Sequence, residues 1–399
     1  MPVTEGQEKK KGSVWEVWKT ATRLGLTSFG GPIAHLGYFR EEYVNRKKWL
    51  DDKTYADLVA LCQFLPGPAS SQVGMGIGYI RAGFPGALAA WLGFTIPSAL
   101  ALVLFAHFLQ GASFHETGWI HGLLVVAVAV VAQAVWGMAK TFASDRWRAT
   151  IAIAAAILTL SIPSVWSQVG VIAGAGVIGW FSFRRMQDSK PVALTIPFDK
   201  KLSLIWLILF FVLLALFPLA RPFVDSNLFA LMDSFYRSGA LVFGGGHVVL
   251  PLLQTEVVRS GWISADQFLA GYGAAQAVPG PLFTFASYLG MAGFGWIGAV
   301  VATLAIFLPS FLLILGALPF WHWLRHRPRF QAALIGINAA VVGILLAALY
   351  NPVWMKAISN PLDFCLALVD FGLLMVWKCP PGIVVVFSAA AGAVISWIS

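Results

Sequence analysis

The chain has 399 residues, 58% of them hydrophobic and 11% charged, with a formal net charge of +9. Soluble domains carry about 25% charged residues, so this composition cannot cover a water-facing surface and reads as a polytopic membrane protein. The basic residues gather in short hydrophilic loops, the pattern of cytoplasmic loops between spans, and no basic patch interleaved with aromatics stands outside them, which argues against a nucleic-acid partner.

Met1–Gly12 is polar, with Lys9-Lys10-Lys11, and lacks the apolar core and small-residue cleavage site of a signal peptide. Trp15–Thr27 and Ile33–Val44 read as short helical arms interrupted by Ser28-Phe29-Gly30-Gly31-Pro32. A basic loop with Arg40, Arg46, Lys47, Lys48 and Lys53 follows, then Tyr55–Leu65 and Ala69–Arg81 around Pro66-Gly67-Pro68. Arms of about a dozen residues reach roughly 16–20 Å, about half of a hydrocarbon core. Full-length spans are predicted near 86–109, 119–139, 149–162 and 165–183, then a hydrophilic linker at 184–201 and one more span at 203–220. The second half opens with a segment broken at Phe243-Gly244-Gly245-Gly246-His247 and another broken at Pro279-Gly280-Pro281. Spans near 297–320, 330–350, 362–377 and 381–398 complete it.

The halves repeat. Phe29-Gly30-Gly31 returns as Phe243-Gly244-Gly245 and Glu42 as Glu256, both at an offset of 214. Gln63 and Pro66-Gly67-Pro68 return as Gln276 and Pro279-Gly280-Pro281 at an offset of 213. Gly86-Ala87 and Pro97-Ser98 return as Gly298-Ala299 and Pro309-Ser310 at 212. The expected units are a first repeat at 13–183, a cytoplasmic linker plus connecting transmembrane helix at 184–225, and a second repeat at 226–399.

The charges set an orientation. With the N-terminus and loops 40–53, 140–148, 184–201 and 322–329 in the cytoplasm, loop 110–118, which has no Lys or Arg, faces outside. This requires both broken segments of the first half to enter and leave on the cytoplasmic side, as re-entrant hairpins. One odd span between two even repeats then inverts the second, and loop 254–266 has only Arg259 where loop 40–53 has five basic residues. The expected fold is an all-α polytopic membrane protein of two inverted-topology repeats. Each has two re-entrant helical hairpins plus about four transmembrane helices, and the nine crossings leave the N-terminus inside and the C-terminus outside.

Unpaired backbone polar groups in lipid cost several kcal/mol each, so a break at membrane depth survives only when buried in protein or lining a watery cavity. Inverted repeats with discontinuous helices are a pattern of secondary transporters. Glycine lets backbone approach a ligand closely, and proline is harmless in a first helical turn. The N–H groups at a helix start favour an anion. Four such starts, each of roughly +0.5 charge, sum to the order of +2 if they converge, which suits a dianion. The candidate binding residues are Phe29, Gly30, Gly31, Pro32, Gln63, Pro66, Gly67, Pro68, Ser70 and Ser71 in the first half. In the second they are Phe243, Gly244, Gly245, Gly246, Gln276, Pro279, Gly280, Pro281 and Thr284, with the two Pro-Gly-Pro turns expected to face each other. The plainer alternative is that Gly and Pro only permit close packing or kinks.

In these residues, Phe29-Gly30-Gly31-Pro32, Phe243-Gly244-Gly245-Gly246-His247 and the two Pro-Gly-Pro motifs, the sequence resembles the chromate ion transporter family in its long, two-repeat form. The resemblance spans about 22–350. Glycine stands at position 246 in place of proline, so a Pro-capped helix start is in question there. The resemblance implies export of chromate from the bacterial cytoplasm across the inner membrane, driven by the electrochemical gradient, with chromate resistance. Sulfate, a tetrahedral dianion of similar size, remains an alternative or competing ion. The partners implied are the anion, the lipid bilayer and, as a candidate assembly, a second copy of the chain.

Other polar residues carry two readings each. Arg81 is either a cytoplasmic anchor reaching the interface or an anion-attracting group at a cavity mouth, and Arg23 is the better candidate for a buried positive charge facing substrate. His35 and His247 are packing residues or proton carriers. Glu42 and Glu256 are interfacial ion-pairing groups or proton relays, and Asp57 is a helix-start charge or a proton site. Cys62, Cys365 and Cys379 form no CxxC and read as small hydrophobes. No HExxH, P-loop or GxSxG motif occurs, so neither ATP-driven transport nor enzymatic hydrolysis is expected, and no cofactor or metal.

Overall fold

The computed structural model describes residues 12–110, 118–162, 164–183, 200–243, 246–321 and 327–398. Every element among them is helical. The first half runs α1 (Val14–Thr27), α2 (Gly31–Phe39) with a wider π-type turn over Arg40–Arg46, α3 (Asp52–Phe64), α4 (Ala69–Phe108), α5 (Gly118–Phe142), α6 (Arg146–Ser161) and α7 (Val165–Ser182). α8 (Lys200–Ala220) follows, and only 17% of its apolar window is buried, so it turns most of its surface outward. The second half runs α9 (Asn227–Leu241), α10 (Val249–Val257), α11 (Ala265–Ala277), α12 (Phe285–Ala317), α13 (Pro328–Ala348), α14 (Pro361–Met375) and α15 (Pro381–Ile398).

Among the described residues five helices, α4, α5, α8, α12 and α13, are long and apolar enough to cross a membrane. With the composition, this makes the chain an all-α, multi-pass membrane protein. Length misleads for two of them. Gly83 interrupts α4 at φ 67°, ψ −157°, and Gly295 interrupts α12 at φ 67°, ψ −159°, a region that only glycine visits freely. A side chain on Gly78 would run into the Gly86 carbonyl, and one on Gly290 into the Gly298 carbonyl. Residues eight apart lie about 12 Å apart in a straight helix, so each helix doubles back at its glycine into two arms. The same event occurs in both halves, at matching positions of the repeat.

The halves interlock reciprocally. α1 packs on α4 and α9 on α12, α4 meets α12 at the centre, α5 packs on α14 and α15, and α13 packs on α6 and α7. Small residues allow these approaches, which in lipid depend on close packing: a side chain at Gly122 would strike the Ser388 carbonyl, and one at Gly343 the Ala152 carbonyl. Helix starts are capped in the loops. Asp51 Oδ1 accepts from Thr54 N–H at 2.8 Å, and Asp145 Oδ1 accepts from Arg148 N–H at 3.0 Å. These bonds hold both carboxyls below their usual range.

Candidate functional site

α1 ends at Thr27 and Ser28 is extended, which leaves the Ser28 carbonyl outside any helix ladder. Gly30 (φ 95°) and Gly31 (φ 76°) then turn the chain into α2, with Pro32 in its first turn. In the second half α11 ends at Ala277, Val278 is extended, and Gly280 sits at φ 100° before Pro281. Gly280 N–H donates to Ser28 O at 2.9 Å. The counterpart bond runs from Gly67 N–H (φ 114°) to Val242 O, the extended residue that ends α9, at 2.7 Å. A Cβ on Gly280 would lie 2.8 Å from Ser98 Oγ, and one on Gly67 would lie 2.5 Å from Ser310 Oγ.

The sequence suggested that the two Pro-Gly-Pro turns face each other; the bonds their glycines make run instead to the Phe-Gly-Gly breaks. Each turn is stitched to the Phe-Gly-Gly break of the other half. The reason is complementarity: one kind of break leaves a carbonyl over and the other leaves an N–H, and buried backbone groups must be paired. Both glycine N–H groups are spent on this stitching and are not available to a ligand.

One of the two stitched places opens into a cavity of about 510 Å³. Phe29, Gly30, Gly31, Pro32, His35 and Tyr38 line it from the first break, and Gln276, Val278, Gly280 and Leu282 from the second. His247, Val130 and Gln133 of α5, Leu374 of α14 and the turn Lys378–Pro381 complete the wall. Among the described residues no acidic group lines it, and Lys378 is the one Lys or Arg that does. Gln276 Nε2 is buried without a hydrogen-bond partner. His35 Nδ1 is 3.3 Å from Ser70 Oγ, His247 Nδ1 is 2.8 Å from Tyr272 OH, and Gln133 Nε2 donates to Leu374 O at 3.4 Å.

Lys378 closes α14 in the left-handed region (φ 52°), which costs a non-glycine residue roughly 1–2 kcal/mol. The next N–H, from Cys379, donates back to Leu373 O at 2.9 Å and terminates the helix. Amide, imidazole and ammonium groups around a cavity without carboxylates are equipped to hold an anion.

Of the residues expected at the site, Phe29, Gly30, Gly31, Pro32, His35, His247, Gln276 and Gly280 line this cavity. Gln63 is exposed on α3, unlike its counterpart Gln276. Pro66 O accepts from Gln72 Nε2 at 2.7 Å, and Thr284 Oγ1 donates to Pro281 O at 2.7 Å, so these groups serve the turns themselves. Pro68, Ser71, Phe243, Gly246 and Pro279 do not line the cavity, and Gly244 and Gly245 lie outside the described residues. With glycine at 246, the second break passes through a 3-10 turn (Gly246–Val248) and α10 begins only at Val249.

The charged candidates sit elsewhere. Arg23 is not buried: its side chain is 57% exposed and pairs with Glu42 at 3.5 Å. Arg81 pairs with Glu16 at 3.5 Å and lies over the Trp49 ring at 5.3 Å, outside the cavity wall. Asp57 is buried on α3 and does not line the cavity. Glu256 joins a buried network absent from the expectations. Arg237 Nε and Nη2 donate to Asp233 at 2.8 Å each, Arg237 Nη1 is 2.8 Å from Glu256, and Arg221 Nη1 is 3.0 Å from Asp233. Sequence could have found Arg237, because it repeats Arg23 at the offset that relates Glu256 to Glu42. Lys378 carries no such signal.

The profile of the chromate transporter family matches residues 15–180 and, a second time, 229–394. The chain is 28% identical over 379 residues to a chromate transport protein of Pseudomonas aeruginosa, covering 92% of this chain and 88% of that one. It is 28% identical over 344 residues to an uncharacterised transporter of Methanocaldococcus jannaschii, covering 86% and 85%. It is 34% identical over 165 residues to an uncharacterised transporter of Bacillus subtilis, YwrB, covering 39% of this chain and 82% of that one. No solved structure matches.

Proposed function

This chain belongs to the chromate transporter family, and from that premise we propose that it is a secondary transporter that exports chromate from the bacterial cytoplasm and confers chromate resistance. The observation that carries this reading is the cavity where Gly280 of one half is bonded to Ser28 of the other. Backbone breaks from both halves meet there, without an acidic residue among the described lining groups and with Gln276 Nε2 unpartnered. Discontinuous helices that meet at a repeat interface are the usual place for a transporter's site. Gly30, Gly31 and Pro32 bring the start of α2 to the anion, Gln276 donates from its amide, and Lys378 draws the anion to the mouth.

The proposed topology makes α1–α2, and α3 with the first arm of α4, re-entrant hairpins, together with their counterparts in the second half. The second arms of α4 and α12, with α5 to α8 and α13 to α15, are then the nine crossings of an inner-membrane protein whose N-terminus is cytoplasmic. The doubling-back at Gly83 and Gly295 supports this, since it returns each first arm to the face from which it came. The single helix α8 between the repeats supports the inversion.

Everted membrane vesicles are expected to accumulate chromate, with sulfate competing, and right-side-out vesicles to accumulate none. A buried hydrogen bond to a charged group contributes about 1.5–3 kcal/mol, so Gln276→Leu is expected to raise KM roughly tenfold or more by the same measure, while Gln63→Leu stays within about twofold because Gln63 is exposed. Accumulation in right-side-out vesicles alone would reverse the direction. Equal effects of the two substitutions would remove the cavity from the mechanism, and no flux of either anion would leave a non-transporting membrane protein.

A further inference from the structure

Asp370 is an acid in the middle of α14, 0% exposed, and neither carboxyl oxygen has a hydrogen-bond partner. α14 packs mainly on α5 and α15. Along α5, the stretch opposite Asp370 is bounded by His121, bonded to Asp363 at 2.8 Å, and Gln133, bonded to Leu374 O at 3.4 Å. The residues between, Gly122–Ala132, are all apolar, and Lys140 lies beyond them with its Nζ 4.9 Å from the Trp136 ring. α15 has no titratable residue. On α14 and its closing turn the remaining titratable groups are Asp363, Cys365, Lys378 and Cys379. Asp363 is two helical turns before Asp370 and Lys378 just over two turns beyond it, about 10 and 12 Å along the helix. Among the described residues no cation faces the carboxyl.

The polar neighbour is Ser388 of α15. Its hydroxyl donates to Gly122 O at 3.0 Å, and while it does so its lone pairs can accept from the O–H of a protonated acid. Ionisable groups inside membrane segments are costly to keep and mark ion and proton pathways. Leu374, one helical turn further on the same face of α14, lines the cavity. The acid also breaks the repeat: aligned through the helix starts Asp145 and Asn360, its counterpart in α6 is Ala155.

We propose that Asp370 is the proton-binding residue of the transport cycle, exchanging a proton with the anion cavity one turn away and so tying anion movement to proton movement. In one step a proton passes from cavity water to the Asp370 carboxylate. In the other it returns to water, and no bond to the anion is made. This rests on the transport reading above.

The test uses the full-length protein in liposomes and two chromate fluxes: net flux driven by an imposed pH gradient, and chromate–chromate exchange at equal pH. The unchanged protein is expected to show gradient-driven flux, and the ratio of that flux to exchange is expected to fall at least tenfold in Asp370→Asn. An unchanged ratio in Asp370→Asn overturns the proposal. So does exchange without any stimulation by the gradient in the unchanged protein. If Asp370→Asn loses both fluxes, Asp370→Glu decides: recovery of the gradient-driven flux together with exchange supports the proton role, and any other result assigns Asp370 to packing and overturns it. Neither flux in the unchanged protein removes the transport reading itself, and this inference with it.

Discussion

Arg23 and Arg237 stand at one position of the repeat, and each pairs with the glutamate of its own half, Glu42 or Glu256. Their surroundings are opposite. Arg237 is 9% exposed and held in a fork by Asp233, with Arg221 completing a neutral set of two arginines and two acids. Arg23 is 57% exposed, and Glu42 is shared with Arg46, itself 54% exposed. The position of Asp233 is occupied in the first half by Lys19, and that of Arg46 in the second by Ser260. The duplication has kept the backbone breaks and let the charges diverge. A surplus of exposed basic residues on one copy and a neutral buried set on the other is what the proposed inverted placement asks of the charge pattern.

The largest effect that would break this comparison is energetic. Removing one partner of a buried, hydrogen-bonded ion set costs about 3–5 kcal/mol, whereas an exposed pair contributes roughly 0–1 kcal/mol. Arg237→Ala is therefore expected to lower the unfolding free energy in mixed micelles by several-fold more than Arg23→Ala. Equal losses would mean that the two arginines sit in equivalent surroundings after all.

A smaller effect sharpens the comparison at the turns. Gly67→Ala and Gly280→Ala force a side chain into positive φ, a cost of roughly 1–3 kcal/mol each, and both should lower thermal stability. The second cost differs between them. At Gly67 the atoms nearest the new methyl belong to side chains, Ser310 Oγ at 2.5 Å and Gln72 Nε2 at 2.9 Å, while at Gly280 the Phe94 carbonyl at 3.2 Å is among the nearest. Ser310 Oγ is buried without a partner, whereas Ser98 Oγ donates to Thr95 O at 3.1 Å. Adding Ser310→Ala to Gly67→Ala should recover more stability than adding Ser98→Ala to Gly280→Ala, as read by the melting temperatures of the four variants.

Much of this fold was legible in the sequence because glycine and proline punctuate an apolar chain. The arms expected to end at Thr27 and Leu65 end at Thr27 and Phe64, the helix before the second Pro-Gly-Pro break ends at Ala277, and the gap between Arg81 and Gly86 is where Gly83 folds α4 back. The crosswise stitching was not legible. Two like turns and two unlike breaks use the same residues in either pairing, and only the placement of Ser28 O and Val242 O against Gly280 and Gly67 decides between them. Local motifs likewise could not show that Gln276 is drawn to a cavity while Gln63 is left outside, because the third wall comes from α5 and α14. Asp370 stands as an acid inside the expected span 362–377, but it has no counterpart in the other half, so the repeat does not mark it.

The smallest effect concerns the loops, where the halves cap the same helix differently. α3 starts on Asp51 and its repeat counterpart α11 on Ser264, which accepts from Gln267 N–H at 3.1 Å. The Thr54 N–H holds the Asp51 carboxyl below its unfolded value of about 3.9. A depressed folded-state pKa contributes stability that is complete above the unfolded value and is lost as pH falls through the folded one. Acidification below the usual carboxylate range should therefore weaken the Asp51 cap of α3 and leave the Ser264 cap of α11 unchanged, because a hydroxyl does not titrate there. A cap contributes ~1 kcal/mol, less at a solvent-screened site, so protection factors over the first turn of α3 should fall by no more than about fivefold. Asp51→Ser should abolish this pH dependence with little change at neutral pH, since Ser and Asp cap almost equally well. Loss of protection at both helix starts would show that acid acts on the whole bundle and not on the cap.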